Sequence, residues 1–136
     1  MFERVLREDR HSKPGVSLSV LELYSIPFVP KRLYWICDIL PSEPRGFHAH
    51  KRLNQLMIII EGSIRLKLYR GSREFIFDLG ESDDHILIPF GTWREIDSLS
   101  EKSTILVVAD REYDEDDYIR EWETYLKWYA TNINEC

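Results

Sequence analysis

Arg45-Gly46-Phe47-His48-Ala49-His50-Lys51, followed by Gln55 and Gly62, is the stretch on which the reading of this chain turns. Two histidines one residue apart share a face of an extended strand, because side chains alternate with a period of two. In metal sites built on this frame, a Glu follows on the next strand and another His comes much later. Here the Glu position is Gln55, and the late His position, within Pro89-x-Gly91-x-x-Arg94, is Arg94. Arginine cannot ligate an ion and a glutamine amide is a weak ligand. The frame of a metal site is present with two of its ligands replaced. The expectation is therefore no metal and no cofactor. The histidines are kept instead for acid–base work, which suits an imidazole with an unperturbed pKa of about 6.5.

Around this stretch the chain reads as short strands joined by tight turns. Leu18 to Tyr24 alternates apolar and polar residues, and Arg32 to Leu40 is rich in aromatic and β-branched residues. Pro27 and Pro30 separate these two, and Pro41 and Pro44 close the second. Leu56 to Ile60 is an apolar run ended by Glu61-Gly62. From Ser63 to Tyr69, Ile64, Leu66 and Leu68 share one face while Arg65, Lys67 and Tyr69 share the other. Arg70-Gly71 turns the chain into Glu74–Leu79, and His85–Ile88 and Thr104–Ala109 are two more strands. Strands of this length and spacing predict a sandwich or barrel. The period then changes. Tyr118, Trp122, Tyr125, Leu126 and Tyr129 form one stripe of an amphipathic helix, with the acids Asp114 to Asp117 as its cap and first turn. The first dozen residues are expected to be loosely ordered.

The 136 residues predict one domain, residues 1–136, and 43% hydrophobic residues suffice for a core. No apolar run approaches the roughly 20 residues that span a bilayer, and the N-terminus carries no signal-peptide pattern. Cys37 and Cys136 read as free thiols of a reducing compartment, so the cytoplasm is the expected location. The net charge is −6, and residues 110–123, with eight acids and two bases, account for all of it. Positive charge gathers near the histidines at Lys31, Arg32, Arg45, Lys51, Arg52, Arg65 and Lys67. That region suits a phosphorylated small molecule, whereas the overall field disfavours nucleic acid.

Taken together, these residues resemble the cupin-type sugar 3,4-ketoisomerases, which act on dTDP-4-keto-6-deoxyglucose. The likeness extends from about Leu18 to Tyr125. It rests on Ile26-Pro27-Phe28, Lys31-Arg32-Leu33-Tyr34-Trp35-Ile36, the Arg45–Lys51 stretch, Gln55, Gly62-Ser63, Ile88-Pro89 with Trp93, and Tyr113-Asp114-Glu115-Asp116-Asp117-Tyr118-Ile119-Arg120. The loops Arg70-Gly71-Ser72-Arg73 and Glu81-Ser82-Asp83-Asp84-His85 depart from the family's pattern. The resemblance implies an all-β fold, a small cupin (jelly-roll) barrel with one C-terminal helix. It also implies a homodimer with exchanged N-terminal strands, a dTDP-linked 4-keto-6-deoxy sugar as substrate, and no metal. His48 and His50 match the catalytic pair. The expected substrate-binding residues are Tyr34, Arg45, Lys51, Gln55, Trp93 and Arg94, while His85 and His11 are expected at the surface. The sequence is also compatible with two alternatives, a metal-dependent cupin enzyme and a non-catalytic sugar-nucleotide-binding domain. A 3,5-epimerase, which pairs a His with a Tyr, fits the motif less well.

Overall fold

The computed structural model describes residues 2–13 and 15–133. Its strands are β1 (Arg4–Val5), β2 (Glu8–Lys13), β3 (Val16–Val20), β4 (Arg32–Ile39), β5 (Arg45–His50), β6 (Gln55–Glu61), β7 (Ser63–Arg70), β8 (Arg73–Gly80), β9 (His85–Ile88), β10 (Trp93–Ser98), β11 (Ser103–Ala109) and β12 (Tyr118–Ile119). One helix, α1 (Trp122–Asn132), follows, and 3-10 turns lie at Leu23–Ser25 and Glu115–Asp117. Two five-stranded antiparallel sheets, ordered β1-β9-β6-β11-β4 and β12-β5-β10-β7-β8, pack as an open jelly roll, and β2 and β3 form a separate hairpin.

The alternation read in the sequence places the core. Ile64, Leu66 and Leu68 of β7 are wholly buried and meet Met57, Ile59, Ile86, Ile105 and Val107 of the facing sheet. Each such side chain contributes about 1.5–3 kcal/mol of burial. Arg65 and Lys67 point the other way, and Arg65 grips Asp78 across β8 with two bonds of 2.8 and 3.0 Å. These two bases therefore lie on the outside of the sheet and are not part of a basic region around the histidines. Leu21, Ile26 and Phe28 cover Leu56, Ile58, Leu87 and Val108 on the outer face of the first sheet. Helix α1 covers the outer face of the second, where buried Tyr125 packs with Ala49, Trp93 and Ile119. Gly62 links β6 to β7 at φ +78°, and a Cβ there would stand 2.4 Å from the Lys102 carbonyl oxygen, so only glycine fits.

Several expectations are corrected. The helix begins at Trp122 rather than near Tyr118. Asp114 caps the short 3-10 turn instead, accepting from Asp116 N at 3.0 Å, and Tyr118 pairs with His50 on a strand. The long-range pairing with β5 overrides the helical stripe. The segment from Leu18 splits into β3 and the turn Leu23–Ser25. The early residues pair, β1 with β9 and β2 with β3. His85 is buried, opposite Val5, because β1 closes over it. Cys37 is an exposed free thiol. Cys136 and the side chain of His11 lie outside the described residues.

Candidate active site

A β-bulge builds the site. Arg94 of β10 pairs with His48 and Glu95 with Gly46, so Phe47 is the extra residue of β5. Gly46 at φ +96° and Phe47 at φ 56° are left-handed, a conformation that costs a bulky residue about 1–3 kcal/mol. A Cβ on Gly46 would sit 2.8 Å from the Arg94 carbonyl oxygen. The bulge turns the Gly46 carbonyl toward the following imidazole, and His48 Nδ1–H donates to it at 3.0 Å. Regular alternation resumes at His48, so His50 faces the same way, and the two rings stand edge to face with centroids 5.0 Å apart. The ring of Tyr118 lies 4.4 Å from His50 and 5.1 Å from His48.

Both histidines present an Nε2 that is buried and has no hydrogen-bond partner among the described residues. The Nδ1 atom of each is engaged, His48 with Gly46 O and His50 with the Asp117 carboxylate at 3.0 Å. Burial and the neighbouring Arg94 cation push the His48 imidazole down to about 3. The same two causes, burial first, lower His50. Both rings are neutral at physiological pH, with their Nε2 lone pairs ready to accept protons.

The neighbouring strand β10 carries a charge, because Arg94 is the cross-strand partner of His48. Arg94 is 2% exposed, and among the described residues no carboxylate lies within ion-pair distance of it. Burial lowers it to about 10, so it remains a cation at neutral pH. Its Nη1 donates to Gln55 Oε1, its Nη2 to the Thr92 carbonyl at 3.1 Å, and its Nε has no partner among the described residues. Gln55 Nε2 in turn donates to Tyr34 Oη at 2.7 Å. Burial raises the Tyr34 phenol, which keeps its proton and can give it to a ligand oxygen. The rim is formed by Arg32, stacked 4.9 Å over Tyr34 and 5.4 Å over Tyr113, and by Arg120, 4.1 Å over Tyr118 and paired with Glu115.

His48, His50, Gln55, Arg94 and Tyr34 are thus gathered in one cluster, and other expected residues fall elsewhere. Trp93 does not line this cavity. Alternation turns it away from Arg94, and it packs under α1, 5.3 Å from Trp122, with its indole N–H donating to Glu95 at 3.1 Å. Arg45 is exposed at the start of β5, opposite Ile96. Lys51 lines a surface groove with Glu115, Tyr118, Arg120 and Trp128. Asp117 and Tyr118 were missed as site residues, because the acidic run read as a helix cap. The available signal was the Tyr-Asp-Glu-Asp-Asp-Tyr-Ile-Arg segment itself.

The depressed imidazoles predict acid sensitivity. The unfolded chain takes up the His48 proton near pH 6.5, and the native cavity resists it down to about pH 3. This contribution to stability is complete above pH 6.5 and is lost as pH falls across that window. The denaturant midpoint is expected to drop between those values in the native protein. In His48→Asn the same titration should be flatter.

Among the described residues, no group of three or more His, Cys, Asp or Glu side chains stands together as a metal cage, and no helix is long and apolar enough to cross a membrane. A jelly roll with paired, neutral, inward-facing histidines beside a buried cation defines a cupin-like protein. Residues 4–130 match the family model described as FdtA, WxcM-like, C-terminal. The chain belongs to that family. It is 35% identical over 116 residues to the TDP-4-oxo-6-deoxy-alpha-D-glucose-3,4-oxoisomerase of Aneurinibacillus thermoaerophilus, covering 85% of this chain and 84% of that one. It superimposes on a 3,4-ketoisomerase from Helicobacter canadensis with a TM-score of 0.87 and 33% identity, covering 95% and 97% of the two chains. A mutant of the 3,4-ketoisomerase QdtA from Thermoanaerobacterium thermosaccharolyticum, in complex with TDP-4-keto-6-deoxyglucose, matches with a TM-score of 0.88 and 31% identity, covering 98% of this chain and 97% of that one.

Proposed function

We propose that this protein is a sugar-nucleotide 3,4-ketoisomerase. It converts dTDP-4-keto-6-deoxyglucose to a 3-keto isomer by metal-independent acid–base catalysis. The observation that carries this reading is the pair of neutral imidazoles, each with a buried and unengaged Nε2, beside a buried guanidinium. The reaction needs little else. One imidazole takes the C3 proton, which the neighbouring C4 ketone acidifies, and an enediol forms. A proton is returned to C4, and the hydroxyl proton passes between the two oxygens. Arg94 offers positive charge to the developing enolate oxygen and Tyr34 a donated hydrogen bond, both set in place before the reaction.

Lys31, Arg52 and Arg111 line a cavity of about 500 Å³ together with Glu112, Asp114 and Asp117, and Arg52 is bonded to Asp114 at 3.0 Å, which leaves Lys31 and Arg111 as the bases that would meet a diphosphate there. The exposed apolar side chains Leu33 and Trp35 on edge strand β4, and a β2–β3 hairpin that forms a two-stranded sheet of its own, support a homodimer with exchanged N-terminal strands. The cytoplasm is the compartment in which such an enzyme would meet its nucleotide sugar.

The test is proton NMR of the substrate with enzyme in heavy water. Deuterium should enter the sugar ring as the 3-keto isomer accumulates. Binding of the nucleotide sugar without any exchange would instead identify a binding domain. A stoichiometric transition metal whose removal abolishes turnover would replace the proposed chemistry with metal-dependent catalysis.

A further inference from the structure

Asp117 is the residue of this cavity whose surroundings ask for an explanation. It is 3% exposed, and its backbone is fixed at both ends, with its N–H bonded to Asp114 O at 3.1 Å and its carbonyl accepting from Lys51 N at 2.9 Å. Its Oδ1 accepts from Arg52 N at 2.7 Å and faces Arg52 Nε at 3.5 Å. Its Oδ2 accepts from His50 Nδ1 at 3.0 Å. Arg52, two residues beyond the second histidine, thus clamps the carboxylate behind that histidine.

An ionised carboxylate only accepts hydrogen bonds. His50 Nδ1 must therefore carry the ring proton, which leaves Nε2 as the bare nitrogen. That Nε2 is buried and without a partner among the described residues. The setting is hostile to a charged ring, since Arg94 and a second imidazole stand close by. An imidazolium formed there during turnover needs an anion on its far side, and Asp117 is the carboxylate in contact with the His50 ring.

We propose that Asp117 is the positioning residue of His50, fixing the tautomer that exposes Nε2 and stabilising the imidazolium formed when Nε2 takes a proton from the sugar. The inference rests on the acid–base reading given above. In each half-reaction one proton moves from a substrate C–H or O–H to Nε2 and later returns to the substrate. The Nδ1 proton stays on Nδ1, and Asp117 remains a carboxylate throughout. In this role Asp117 acts on the sugar only through His50.

The test is Asp117→Asn. The amide oxygen can still accept from Arg52 N, so the fold is expected to survive with an unchanged thermal midpoint. The amide N–H₂ then faces Nδ1 and forces the other tautomer, with the proton on Nε2. Where a carboxylate behind a catalytic histidine is converted to an amide, about 10⁴ in kcat is lost. A loss of about 10²–10⁴ is expected here, with KM within a few-fold of the native value. The double variant His50→Asn/Asp117→Asn should be no slower than His50→Asn alone, because the two residues act as one unit.

A readout independent of any variant is the ¹⁵N–¹H correlation of the His50 ring in the native protein. A protonated Nδ1 is expected, and a protonated Nε2 would overturn the proposal even if the amide variant failed to fold. Native turnover in Asp117→Asn would overturn it too. Native turnover in His50→Asn would instead sink the histidine mechanism itself, so the two failures are distinguishable.

Discussion

Replacing Arg94 with methionine is expected to lower kcat by about 10²–10³ while the thermal midpoint stays level or rises. The two halves of this result have separate causes. Arg94 is buried, and among the described residues no carboxylate pairs with it. Methionine fills a similar volume without the charge, and removing buried ionic groups in favour of well-packed apolar ones is often neutral or stabilising by about 1–4 kcal/mol. Catalysis moves the other way, because removing one preorganised donor from a developing oxyanion costs about 10²–10³ in rate. Gln55 and Tyr34 would also lose the cation that polarises their hydrogen-bonded chain. Steady-state kinetics beside a melting curve checks both halves. A variant whose activity falls only as far as its stability falls would mark Arg94 as structural.

His48→Asn and His50→Asn are each expected to lower kcat by about 10²–10⁴, the usual contribution of a positioned general acid or base. KM should change much less, since asparagine keeps a polar side chain in the same cavity. Deuterium entry into the sugar should fall in parallel with kcat in both variants. The two histidines differ in what stands behind them, a neutral carbonyl for His48 and a carboxylate for His50. Their losses are therefore not expected to be equal. If either variant kept native turnover, that imidazole would have no part in proton transfer.

Much of the fold was legible because strand alternation is a local property. Ile64, Leu66 and Leu68 had to share a face whatever they packed against, and the bounds of β9 and β11 follow from short apolar runs between turns. The helix start was misread for the opposite reason. Tyr118 fits a helical stripe as well as it fits a strand, and only its pairing with His50 decides between them. Trp93, which the resemblance offers as a substrate-binding residue, packs under α1 instead, because strand alternation turns it away from the face that Arg94 occupies. Asp117 was hidden among four consecutive acids that all serve equally well as caps.

By itself the sequence established the histidine pair on one strand face, the replacement of two metal-ligand positions by Gln55 and Arg94, and a sandwich of short strands ending in a helix. These follow from a two-residue period and from side-chain chemistry, both readable within a few positions. The tertiary structure alone decided that Asp117 stands behind His50, that the Gly46 carbonyl fixes His48, and that Arg94 has no carboxylate within ion-pair distance among the described residues. Asp117 and His50 lie 67 residues apart. A partnership at that range is set by how two sheets and their connections pack, and no local pattern encodes it.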